Sequence, residues 1–174
     1  MQINVSELLS TLKKTEQFVA SVDFDEVSLS GQKYSIVEKE EFPLTVSNAG
    51  KKKIRVEGET KVIVSIPCDR CLEEVKTPFL IHIDETLEAN PEQEDDENAM
   101  DLNFIEGCML DVDMLVYDEI VMQFPMKTLC KEECKGLCHV CGGNLNKVTC
   151  NCDRTVLDPR MSIIRDIFNN NKEV

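Results

Sequence analysis

Six cysteines fall within 23 residues, at Cys130, Cys134, Cys138, Cys141, Cys150 and Cys152, in the run CKEECKGLCHVCGGNLNKVTCNC. Upstream, PCDRCLEE carries one more close pair, Cys68 and Cys71. A hydrophobic core has no need for sulfur at this density, so the spacing calls for a chemical explanation. Cysteines two or three residues apart place two thiolates on one tight turn, which suits a tetrahedral ion. A metal-clipped chain is the first expectation, and any fold has to bring these turns together.

Disulfides are the competing explanation. The total of nine cysteines is odd and would leave one thiol unpaired in a secreted protein. The opening MQINVSELLSTLKK has no apolar run of signal-peptide length, and no stretch is long enough to span a bilayer. The expected setting is therefore a reducing cytoplasm with no membrane partner, where close cysteine pairs are read as metal or redox groups.

A chain of 174 residues accommodates one main domain with a small appendage. With no Trp and two Tyr, its core must rest on Ile, Val, Leu and Phe. Charge is unevenly spread. From Thr77 to Met126 there are 14 acids and no Lys or Arg, while the remainder carries 19 acids and 19 bases. That segment alone accounts for the net charge of −14. Within it, Glu92, Glu94, Asp95, Asp96 and Glu97 are expected to lie in a solvated surface loop, about residues 88–100. An acidic chain lacks the basic face that sequence-independent phosphate binding requires. Basic proteins, or a nucleic acid met through a local patch, are its natural electrostatic partners.

Along the chain, Val5 to Leu12 reads as a short helix with Ser6 as cap. Phe18, Ala20, Val22 and Phe24 alternate as one face of a strand, and Tyr34–Val37 and Phe42–Val46 are two more. Asn48-Ala49-Gly50 reads as a turn. The clearest strand follows: Ile54, Val56, Val62, Val64 and Ile66 face one way, with Gly58 expected to mark a bulge or a sharp coil. It runs into Pro67-Cys68, and Val75 to Leu87 supplies a partner, so the Cys68–Cys71 turn is predicted at a hairpin tip. His82 falls on the outward face of that partner.

Asp101 to Ile105 is expected as a short strand. The segment from Asp111 to Phe124 is the best helix, capped by Asp111 or Asp113, stopped by Pro125 and apolar on most of its surface. It is predicted to be buried against the sheet, its methionines filling gaps. Asp158-Pro159 opens a terminal helix to Phe168. The predicted fold class is α+β: an antiparallel, partly closed β-sheet packed on a buried helix, with a C-terminal cysteine-rich zinc-binding segment and terminal helix. Residues 1–126 form the β-rich domain and 127–174 the cysteine-rich tail.

Eight paired cysteines make two four-ligand sites. Cys138, Cys141, Cys150 and Cys152 form a local site with a short hairpin between its pairs, its turns eased by Gly136, Gly142 and Gly143. Cys68, Cys71, Cys130 and Cys134 form a second, which would pin the tail to the β-domain; a single four-cysteine site with the other cysteines merely nearby is the alternative. His139 lies inside GLCHVC and is a possible substitute ligand, while Cys108 reads as a small buried residue. Four thiolates accept zinc or an iron–sulfur centre; closed sites favour Zn2+, two per chain. No phosphate loop, nucleophile triad or carboxylate pair is present, so no enzyme activity is expected.

The series CDRCLEEVKTPF, QFPMKTLC, GLCHVCGGNLN, CNC and DPRMSIIRDIF resembles the YceD family, the large ribosomal RNA subunit accumulation proteins, from about Ile54 onward. The resemblance implies a non-enzymatic factor supporting large-subunit rRNA accumulation or ribosome assembly. Its partner would be a ribosomal protein or a large-subunit rRNA precursor. RNA contact would fall to the tail, where eight bases from Lys127 onward face six acids. A redox or iron–sulfur protein acting in electron transfer or sensing is the alternative.

Overall fold

The computed structural model describes residues 1–11, 13–50, 52–88, 104–106, 108–153 and 167. Its elements run β1 (Gln2–Asn4), α1 (Ser6–Ser10), β2 (Thr15–Ala20), β3 (Glu26–Leu29), β4 (Gln32–Lys39), β5 (Phe42–Gly50), β6 (Lys53–Pro67), β7 (Glu74–Glu88), β8 (Ile105–Glu106), β9 (Met109–Asp111) and α2 (Val112–Met122). The α+β class follows, among the described residues, from two antiparallel sheets and the helices α1 and α2. None of the described helices is long and apolar enough to cross a membrane.

The β6–β7 hairpin organises the rest. Its strands stay in antiparallel register from Lys53 opposite Glu88 to Pro67 opposite Glu74. At about 3.4 Å per residue such a hairpin is roughly 50 Å long. Ile54, Val56, Val62, Val64 and Ile66 of β6, with Phe79, Ile81 and Ile83 of β7, fill one face. Side chains with period two thus build the core expected of them.

The other edge of β6 serves two strands in succession: β5 pairs with Lys53–Gly58 and β4 with Val62–Val64. β2 extends the first branch and β3 the second. Among the described strands no pairing joins β7 to β2 or β3, so the sheet forks where partial closure was expected. Gly58 sits at the fork and is not a bulge, since its register with both β5 and β7 is continuous. Its role is clearance. A Cβ there would lie 2.9 Å from Leu44 Cδ1 and 3.3 Å from the Pro43 carbonyl oxygen. Register shifts fall instead in β4, between Ile36 and Glu38, and in β5, between Asn48 and Gly50. The expected Asn48–Gly50 turn is therefore the end of β5. The Asn48 side chain closes α1 by donating to the carbonyls of Leu8 (2.6 Å) and Thr11 (3.0 Å).

At the start of α1, Ser6 is the first helical residue, and the Asn4 side chain, 2.9 Å from its amide, takes the acceptor role assigned to Ser6. β2 begins earlier than expected and stops at Ala20, although Val22 remains buried and Phe24 packs on the core. β3, which the alternation pattern did not reveal, pairs with β4 through a tight turn at Ser30-Gly31. Of the expected Asp101–Ile105 strand, the described end belongs to β8; residues 101–103, the acidic run 92–97 and the terminal helix 158–168 apart from Ile167 lie outside the described residues.

α2 begins as expected, with Asp111 Oδ1 accepting the Met114 amide at 3.1 Å. It is not buried all round. Val112, Leu115, Val116 and Ile120 enter the core, while Met114 and Met122 are exposed, the latter by 78%. The Tyr117 hydroxyl donates to the Ser28 carbonyl at 2.7 Å and accepts the Ser28 amide at 3.1 Å, tying α2 to β3. Beyond the helix, the Phe124 ring packs against Tyr34 and Phe79, with centroids 4.9 and 5.9 Å away. That contact lays the following chain alongside the C-terminal half of β6.

Candidate metal centres

The backbone closes the β6–β7 turn: the Cys68 amide donates to the Glu73 carbonyl (2.8 Å) and the Leu72 amide to the Cys68 carbonyl (2.9 Å). Leu72 adopts a left-handed conformation, φ 60°, to complete it. Cys68 and Cys71 therefore sit at the hairpin tip with their sulfurs on one side. Past α2, a reciprocal pair of bonds docks the chain on this turn. The Asp69 amide donates to the Thr128 carbonyl at 2.9 Å, and the Thr128 amide to Asp69 Oδ2 at 2.8 Å. Arg70 adds a donated bond to the Cys134 carbonyl at 2.9 Å.

These contacts bring Cys130 and Cys134 to the tip, 59 and 66 residues from their partners. The four sulfurs lie within 4.8 Å of one another. Cys68 to Cys134 is 3.9 Å and Cys71 to Cys130 is 3.5 Å. A tetrahedron with metal–sulfur bonds of about 2.3 Å has an edge of about 3.8 Å. A disulfide needs about 2.05 Å, far shorter than either of these separations. Cys68, Cys71 and Cys134 are buried, while Cys130 is the most open of the four.

Cys138, Cys141, Cys150 and Cys152 form the second cluster, again within 4.8 Å. The Cys138 amide donates to the Gly143 carbonyl (2.9 Å) and the Gly142 amide to the Cys138 carbonyl (2.7 Å), folding GLCHVCGG into a knuckle. In place of a full hairpin between the cysteine pairs, one antiparallel bridge joins Leu137 to Asn144. This cluster is more open, with Cys138 buried and Cys141 exposed. Gly136 links the two. With φ 75° it lets the chain pass 3.0 Å from the Arg70 carbonyl oxygen, measured from where a Cβ would stand.

Electrostatics within each cluster call for a countercharge. Burial raises the Cys68 pKa, but donors led by the Arg70, Cys130 and Cys71 amides bring it down to about 6. For Cys138 the amides of Cys141 and Val140 dominate over burial, again giving about 6. The neighbouring thiols move the opposite way. Cys130 is pushed up to about 12, first by its bond with Cys71, and Cys152 to about 12 by its bond with Cys141. Sulfurs this close cannot all ionise unaided. A divalent cation would supply the missing charge, and four soft donors in near-tetrahedral array could hold one in each cluster.

His139 is exposed and stands outside the second cluster; His82 is exposed on the outer face and pairs with Glu59 at 3.0 Å. Cys108 corrects its expectation: it is exposed in the β8–β9 turn, where its carbonyl accepts the Val5 amide at 2.9 Å. Sequence reasoning missed Asp69, Arg70, Thr128 and Asn146, which position sulfur or chain and lie outside both cysteine clusters. Only the Asn144-Leu145-Asn146 run, following two glycines, carried a local signal of a side-chain-stabilised turn.

A forked β-sheet whose longest hairpin ends in a thiol cluster shared with a cysteine-rich segment defines the class of protein. The family of the large ribosomal RNA subunit accumulation protein YceD matches residues 56–168, from within β6 through both clusters, and the chain belongs to it. Among curated proteins it is similar to large ribosomal RNA subunit accumulation protein YCED homolog 1, chloroplastic, of Arabidopsis thaliana, with 26% identity over 137 residues, 62% of this chain and 42% of the relative. The protein of the same name from Zea mays is 26% identical over 129 residues, covering 58% and 44%. The chain thus spans less than half the length of these relatives. No solved structure gives a significant match.

Proposed function

We propose that the protein is a non-enzymatic, zinc-binding factor of the cytoplasm that supports accumulation of large-subunit rRNA. It acts by binding a ribosomal protein or an element of the rRNA precursor. Two Zn2+ ions, one per cluster, hold the cysteine-rich segment on the β-sheet. Zinc's chemistry here is structural, neutralising thiolates and fixing their turns. The observation that carries the reading is the family match over residues 56–168, which takes in both clusters. The net charge of −14 favours a basic ribosomal protein as the first partner to seek.

The test is affinity capture of the tagged protein from its own cells, with both bound protein and RNA identified. Enrichment of large-subunit ribosomal proteins or precursor rRNA is the expected result. Their absence, together with normal large-subunit rRNA levels after depletion, would overturn the reading. Metal analysis of protein purified without oxygen separates zinc from an iron–sulfur centre, which would bring visible absorbance and iron.

A further inference from the structure

The two clusters meet through a side chain that ligates in neither. Asn146 lies in the loop joining the cysteine pairs of the second, outer cluster. Its Nδ2 donates to the Cys134 sulfur of the inner cluster at 3.3 Å and to Asn144 Oδ1 at 3.0 Å. Its Oδ1 accepts the amide of Lys135, next to Cys134, at 3.0 Å. One amide group therefore holds both the inner sulfur and the backbone beside it. The following residue, Lys147, pairs with Glu73, whose carboxylate is 3.9 Å from the Cys71 sulfur. Both straps leave the outer loop and reach the inner cluster.

The arrangement gives that loop two possible states. With an ion in the outer cluster, Cys138–Cys141 and Cys150–Cys152 pin both its ends, and Asn146 stands ordered against Cys134. Without one, making the same bond requires ordering the loop at the cost of its conformational entropy. A donor held at a thiolate stabilises the charged form that ligates metal, and such outer contacts are typically worth 10–100-fold in affinity.

We propose that Asn146 couples the two centres, so that an ion in the outer cluster tightens the inner cluster's hold on its own ion. By linkage the effect is reciprocal. The proposal rests on the metal reading of the clusters and adds to it a direction of communication, carried by a positioning residue.

The test titrates metal-stripped, reduced full-length protein with Co2+. Occupancy of each cluster is read from protection of its own cysteines against alkylation, resolved by peptide mass spectrometry, beside thiolate-to-cobalt absorbance. Asn146→Ala is expected to weaken protection of Cys68 and Cys71 by about 10-fold, with the outer cysteines less affected. Replacing the outer ligands by Cys150→Ser and Cys152→Ser is expected to weaken the inner cluster comparably. Adding Asn146→Ala to that double variant is then expected to cost little more, the non-additivity of a shared path. Unchanged inner protection in Asn146→Ala, or an equal loss with and without the outer ligands, would overturn the proposal. Failure of the unaltered protein to take up any Co2+ would overturn the metal reading itself, a distinguishable result.

Discussion

Each cluster is made of four cysteines, but the two are assembled in opposite ways. The inner one draws Cys68 and Cys71 from a strand-supported turn and Cys130 and Cys134 from beyond a helix, across 59 and 66 residues. The outer one is a single local stretch from Cys138 to Cys152. Burial follows assembly: three of the inner four are buried, against one of the outer four. A local cluster organises its own loop. A long-range cluster also sets where the whole segment lies on the sheet, so its loss reaches further.

Breaking one ligand in each cluster exposes that contrast most strongly. Cys134→Ser is expected to detach the cysteine-rich segment and cost several kcal/mol of metal-dependent stability, out of the ~10–16 kcal/mol known for zinc-finger peptides. Cys152→Ser should loosen residues 138–152 while leaving most of the sheet's amide protection in place. Hydrogen exchange on both variants measures the difference; equal spread of exchange would erase the distinction.

A core substitution serves as the reference for damage unrelated to metal. Gly58→Ala places its Cβ against the fully buried Leu44 side chain. The overpacking is expected to cost about 1–3 kcal/mol, read as the same shift in denaturation midpoint with and without chelator. Asp69→Ala should cost about 1–2 kcal/mol by leaving the Thr128 amide unpaired. Unlike Gly58→Ala it should also weaken metal retention at the inner cluster, measured by competition with a chelator.

The smallest effect belongs to the Glu73–Lys147 strap. Lys147 holds the Glu73 carboxyl below its usual pKa. Its contribution is therefore present above the ordinary carboxylate range and is lost as pH falls through the lowered folded value. Lys147 is well exposed, so solvent screens the pair and its contribution is small. Lys147→Ala should shift the midpoint only slightly at neutral pH and not at all once Glu73 is protonated in both forms.

Much of this was legible because period-two alternation and cysteine spacing are local signals. Val62, Val64 and Ile66 announced β6, Phe79, Ile81 and Ile83 its partner, and pairs of cysteines the grouping into fours. What escaped depended on contacts distant in sequence. Gly58 read as a bulge because its reason, the approach of Leu44 and Pro43, lies on another strand. The methionines of α2 read as gap-fillers in the core because composition cannot show that Met114 and Met122 lie exposed. Asn146 looked like a turn residue, and only the docking of Cys134 beside it gives it a sulfur to hold.

Anomalous diffraction at the zinc edge, on crystals of protein purified under reducing conditions, tests the central claim most directly. Two peaks are predicted, one equidistant from the sulfurs of Cys68, Cys71, Cys130 and Cys134 and one from those of Cys138, Cys141, Cys150 and Cys152. A single peak shared among other ligands, an iron edge in place of zinc, or disulfides joining these pairs would contradict it.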